Sequence, residues 1–111
     1  MMNVRALVFV AAGAAFAVGN VAAADVEAGK KKVQEVCAAC HGQDGAGPVL
    51  PEYPKLAGQY PDYLTKTLRD YKSGARKNPI MAGFAQGLTD KDIADVAAYF
   101  AAQPNVLSSR Y

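Results

Sequence analysis

Histidine and cysteine are scarce in this chain of 111 residues, which holds one His and two Cys. A structural zinc site takes four ligands, so a centre built from Cys and His alone is one ligand short. An excess of either charge is equally lacking. Twelve Lys and Arg oppose ten Asp and Glu, for a formal net charge of +2. That balance gives no basis for nucleic-acid binding or for strong attraction to a membrane. Strand signals are missing too. No alternating or β-branched runs surround the cysteines, whereas a thioredoxin-like Cys-x-x-Cys belongs beside a βαβ pattern. A plain disulfide between Cys37 and Cys40 would close too short a loop to stabilise much.

The scarce residues all fall in one pentapeptide, Cys37-Ala38-Ala39-Cys40-His41. Cys-x-x-Cys-His is the pattern of c-type haem attachment. Two thiols three positions apart can each add across a haem vinyl group, and the adjacent imidazole then lies under the iron. The motif predicts one haem c, bound covalently through Cys37 and Cys40, with His41 as an iron ligand. The second axial ligand follows by elimination. No other His exists, and of the three Met residues Met1 and Met2 belong to a leader segment, which leaves Met81. It sits in Arg76-Lys77-Asn78-Pro79-Ile80-Met81-Ala82-Gly83, expected to be an irregular stretch between two helices that Pro79 stiffens. Methionine also fills gaps in ordinary packing. With a haem present and no other soft donor, Met81 is the expected sixth ligand, and a thioether there raises the reduction potential.

Residues 1–24 are expected to be a secretory signal peptide. Arg5 is their only charge, Ala6 to Val18 form an apolar run, and Ala22-Ala23-Ala24 offers a small-residue cleavage site before Asp25. A retained anchor is the alternative, but the span is rich in Ala and Gly and broken by Asn20. Cleavage after Ala24 predicts a periplasmic domain over residues 25–111, without stable membrane insertion. Export suits a cofactor tied by thioether bonds, which cannot be lost to the medium. From Asp25 onward the chain is ordinary in composition, with 38 of 87 residues apolar. A domain this short buries limited surface, and a haem at its centre would supply the missing core.

The expected organisation is all-α, one domain without repeats. A first helix is predicted over about Val26 to Cys40, with Val26, Gly29, Val33, Val36, Cys37 and Cys40 on one stripe. Gly29 suggests close approach by another element. Residues 42–60, dense in Gly and Pro, predict a long loop wrapped around something, for which a haem edge is suitable. A middle helix starts at Pro61 and runs to about Ser73, with Gly74 after it. The last helix starts after Thr89, with Asp92 completing a capping box. Ile93, Val96, Ala97 and Phe100 form its apolar face, and it ends by Gln103 ahead of Pro104. Tyr99 and Phe100 should pack on the first helix near Gly29 and Val33.

Taken together, these motifs resemble the small bacterial monohaem cytochromes c of class I, and are similar to one half of the dihaem bacterial cytochromes c. The resemblance covers residues 25–105. It rests on the pentapeptide, Pro54-Lys55-Leu56-Ala57-Gly58-Gln59-Tyr60, Tyr63-Leu64, Gly74-Ala75-Arg76, Asn78-Pro79-Ile80-Met81 and the helix from Leu88 to Phe100. Val33 departs from it, standing where relatives often carry an aromatic residue. The resemblance implies a class I cytochrome c fold: three main helices, the first and last crossing, around one haem in a crevice. It implies that the carbonyl of Pro54 accepts the other ring N–H of His41. With both axial positions filled by protein, the iron would be an outer-sphere electron carrier and not an enzyme. Its donor would be a dehydrogenase or quinol-oxidising complex, its acceptor a terminal oxidase or reductase. Two other functions compete: a haem subunit fixed to a larger periplasmic oxidoreductase, and a gas-binding or peroxidatic protein in which Met81 is displaced.

Overall fold

Local signals in the chain set where each helix begins. The computed structural model describes residues 23–107 together with Gly13. The expected leader therefore lies outside the described residues except for Gly13, Ala23 and Ala24. Asp25 caps the first helix, its Oδ1 accepting the backbone N–H groups of Glu27 and Ala28. Helix α1 spans Val26–Lys32, a π-helical segment spans Val33–Cys37, and α2 spans Ala38–His41. These run on without a break until Gly42. In the π-helical segment the Ala38 N–H reaches back to the Val33 carbonyl, one residue further than an α-helix allows.

Helix α3 spans Pro61–Ser73, with Pro61 in its first turn and Gly74 in the left-handed conformation after its end. Helix α5 spans Asp90–Ala101 behind the expected capping box: Thr89 Oγ1 accepts from the Asp92 N–H, and the Asp92 carboxylate accepts from the Thr89 N–H.

One element departs from expectation. The stretch around Met81 is not irregular but forms a further helix, α4, over Pro79–Gln86. The side chain of Asn78 caps it by accepting from the Ile80 and Met81 N–H groups, 3.1 Å each. Pro79 holds a first-turn position whose missing N–H costs nothing. The proline starts a helix there instead of stiffening a loop. Among the described residues there is no strand, and no helix is long and apolar enough to cross a membrane.

Helix α1 packs on α5, α5 on α3, and α3 on α4. The first contact depends on Gly29. A Cβ built there would lie 2.0 Å from the Asp95 carbonyl oxygen and 3.0 Å from Tyr99 Cβ, so the two backbones nearly touch. Val33, Leu64, Val96, Ala97, Tyr99 and Phe100 form the core beneath this contact. Val33 and Phe100 are fully or almost fully buried, and each such side chain is worth about 1.5–3 kcal/mol of transfer free energy.

The loop over residues 42–60 is fastened to the same helix. Tyr99 Oη donates to the Gln43 carbonyl at 2.8 Å, and the Gly58 N–H donates to the Phe100 carbonyl at 2.8 Å. Gly45 (φ +76°) sits on the Phe100 ring where a side chain would collide. Its carbonyl takes the N–H groups of Leu56 and Ala57.

Candidate functional site

Every helix that follows the π-helical segment turns part of its apolar face toward one cavity of about 280 Å³. Leu64 and Leu68 of α3, Met81, Phe84 and Ala85 of α4, and Val96 and Phe100 of α5 line it. Leu56 joins them from the loop, and the pentapeptide closes the remaining side. Protein interiors rarely hold voids larger than a water molecule. A mostly apolar space of this size in so small a domain is shaped for a rigid, largely apolar group.

His41 lies on this wall and is 7 % exposed. Its Nδ1–H donates to the Pro54 carbonyl at 2.9 Å. A carbonyl can only accept, so the bond puts the proton on Nδ1 and leaves the Nε2 lone pair free for a metal. The Tyr53 ring, its centroid 6.2 Å away, flanks the imidazole.

Both cysteines line the same wall as free, half-buried thiols. Burial pushes the Cys37 thiol up to about 11, against the pull of nearby Lys32. Redox and nucleophilic cysteines need the opposite shift, toward the thiolate. Burial thus disfavours the Cys37 thiolate, which argues with the strand-free surroundings of the motif against a redox use of this Cys-x-x-Cys.

Met81, half-buried in the first turn of α4, lines the cavity too. The fold thus brings Cys37, Cys40, His41 and Met81 to one space, with the Pro54 carbonyl bonded behind the imidazole. The Asn78 cap, which fixes the turn that carries Met81, had no assigned role in the sequence.

Sequence reasoning also missed a polar corner. Arg76 Nη1 donates to Tyr63 Oη at 3.4 Å, and both residues line the cavity. The guanidinium holds the Tyr63 phenol below its usual range. It also lies over the Tyr71 ring, 5.1 Å from the centroid. The two partners stand 13 positions apart, Tyr63 in the first turn of α3 and Arg76 beyond its end, and no local pattern pairs them.

The donor set fits a haem. An apolar slot suits the porphyrin disc, and two thiols at fixed spacing suit its vinyl groups. An imidazole nitrogen and a thioether suit low-spin iron. A guanidinium beside a phenol suits the propionates.

The sequence profile of the family described as cytochrome c matches residues 26–103. Cytochrome c4 of Pseudomonas aeruginosa is 51 % identical over 82 residues, which cover 74 % of this chain and 40 % of the relative. Cytochrome c-554(548) of Halomonas halodenitrificans is 46 % identical over 84 residues, covering 73 % of this chain and 99 % of that protein. Among solved structures, reduced recombinant cytochrome c4 from Pseudomonas stutzeri superposes with a TM-score of 0.67 at 45 % identity. That match covers 74 % of this chain and 47 % of the other. The match thus spans about two fifths of the length of the P. aeruginosa cytochrome c4 and nearly all of the Halomonas protein.

Proposed function

Since this chain belongs to the cytochrome c family and carries haem c for electron transport, we propose that it is a periplasmic one-electron carrier with His/Met axial ligation. Cys37 and Cys40 would supply the thioether bonds, and His41 and Met81 the two axial ligands. The observation that carries the proposal is the His41 Nδ1–Pro54 carbonyl bond, which leaves the Nε2 lone pair free to bind iron. It is supported by the only methionine of the described residues lining the same cavity.

Haem supplies the ferric–ferrous couple. The chain's own residues decide what that couple can do. With His41 and Met81 both holding the iron, no position would be left open to substrate or gas, and the chemistry would be confined to electron transfer. The Pro54 carbonyl fixes the imidazole plane and makes the ring a better donor. The Asn78 cap fixes the turn carrying Met81. Leu56, Leu64, Leu68 and Phe100 exclude water, which holds the potential up by disfavouring the more charged ferric form. Arg76 and Tyr63 would anchor the propionates. At the cavity mouth Ile80 is 62 % and Phe84 44 % exposed. Such an apolar rim suits the small, short-lived encounters of redox partners. Those partners would be a dehydrogenase or quinol-oxidising complex on one side and a terminal oxidase or reductase on the other. Residues 1–24 would be the export signal, removed after Ala24.

Replacing Met81 with Ala tests the ligation. The variant should lose the weak Met–iron absorption band, show a lower potential and bind carbon monoxide in the ferrous state. An unchanged potential and spin state would refute the assignment. An intact mass equal to that of the polypeptide alone would refute covalent haem in this chain.

One observation favours a second possibility, a haem unit fixed to a larger assembly: cytochrome c4 relatives carry this stretch within a longer chain. Co-purification with a catalytic partner that survives high salt would support it over a diffusing carrier.

A further inference from the structure

Asp95 of α5 is one of two polar or charged residues buried among the described residues, 3 % exposed, and it does not line the haem cavity. Its Oδ2 accepts from Lys91 Nζ at 2.5 Å. Its Oδ1 accepts from the backbone N–H of Asp25 at 2.8 Å, across 70 positions of sequence. That nitrogen belongs to the peptide bond Ala24–Asp25, directly after the small-residue run Ala22-Ala23-Ala24.

Charge at this spot is unbalanced while the bond is intact. Three carboxylates, Asp25, Asp92 and Asp95, face Lys91, whose side chain is 62 % exposed, and the second cation nearby, Lys32, acts on Asp92. The Asp25 carboxylate is already occupied, because its Oδ1 caps α1. Asp95 has one charged partner in Lys91 at its Oδ2, but at Oδ1 an uncharged amide N–H is a weaker counterpart for a carboxylate than a cation would be.

We propose that Asp95 is the receptor for the amino terminus that export creates, so that cleavage of Ala24–Asp25 converts a hydrogen bond from an uncharged amide into a partly buried ion pair locking α1 onto α5. This rests on the export of the chain proposed above. In the step, a signal peptidase adds one water across the amide. The C–N bond breaks, Ala24 leaves as a carboxylate, and the Asp25 nitrogen takes up the protons as an α-ammonium. The nitrogen already lies at hydrogen-bond distance from Asp95 Oδ1, so no rearrangement is needed. The new cation sits where the α1 macrodipole is positive and therefore unfavourable. The Asp95 carboxylate is what offsets that.

The test uses the holoprotein purified after export. Its first residue is read by intact mass, and its α-amine is titrated by the pH dependence of its acetylation. The expected result is Asp25 as first residue and an α-amine at least tenfold less reactive at pH 8 than in Asp95→Asn. An ordinary α-amine titrates near 7.7–8.0, so the parent's should titrate higher. A second protein keeps Asp95 and moves the cut so that Ala24 remains. It should lose the protection and unfold at a lower temperature, which guards against misfolding of Asp95→Asn. An Asp25 terminus that acetylates equally fast in parent and Ala24-extended forms would overturn the proposal while leaving export intact. A retained leader or a different first residue would overturn it together with the assigned cut, without touching the haem, whose mass is read in the same spectrum.

Discussion

Two glycines in helices should respond in opposite directions to the same substitution. At Gly29 an added Cβ would meet the Asp95 carbonyl oxygen at 2.0 Å and its carbon at 2.5 Å, whereas ordinary contact begins near 3.4 Å. Those are backbone atoms of α5, so no side-chain rotation relieves the collision and the helices must separate. Overpacking costs about 1–3 kcal/mol where side chains can adjust, and a backbone collision belongs at the top of that range. Alanine returns about 1 kcal/mol of helix propensity. Gly29→Ala should therefore lose about 2 kcal/mol net, a fall in Tm of roughly 8–16 °C for a domain of this size. Gly83 in α4 has nothing within 4 Å of the same added atom. There the propensity gain stands alone, and Gly83→Ala should gain about 0.5–1 kcal/mol. Thermal unfolding of the two holoproteins, followed by far-ultraviolet circular dichroism, checks both signs. A Gly29→Ala protein as stable as its parent would refute the close approach of α1 and α5.

Asn78→Ala removes the acceptor for the Ile80 and Met81 N–H groups. It should cost about 1 kcal/mol in denaturant unfolding and let ferrous protein take up carbon monoxide faster than the parent, since it loosens the turn that carries the sixth ligand. Acid stability should fall on two carboxyls. The backbone N–H of Thr89 holds Asp92 below the usual carboxylate range. Burial works against ionisation of Asp95, but Lys91 and the Asp25 N–H outweigh it and lower its value too. Both native values lie below the unfolded value near 3.9. Their contribution is thus complete well above pH 4 and is lost as pH falls through the native values. Tm measured from pH 6 to pH 2 should drop on the acid side, less steeply in Asp92→Asn than in the parent.

Helix α5 could be read from the chain because every level agreed there. Thr89 and Asp92 made the cap, and the apolar spacing from Ile93 to Phe100 matched the face that α1 and α3 cover. The pentapeptide was equally legible, since its chemistry is local. Helix α4 was not. It is eight residues long and contains Gly83 and Pro79, so propensity argued against it. What decides it is the Asn78 cap. The pairing of Arg76 with Tyr63 and the burial of Asp95 were invisible for a different reason. Each depends on two elements meeting in space, and nothing in the spacing of Asp25 and Asp95, 70 positions apart, announces that they touch.

The π-helical turn at Val33–Cys37 reconciles two demands on one helix. Upstream, Gly29 and Val33 are committed to α5; downstream, both thiols and the imidazole face the cavity. An extra residue in the turn rotates everything after it by one step, about 100° of azimuth in an α-helix. Deleting a single residue from this turn would leave the upstream half seated and swing the pentapeptide off its slot. Spacing, more than the identity of residues 34–36, is thus what a productive thioether geometry demands of this segment.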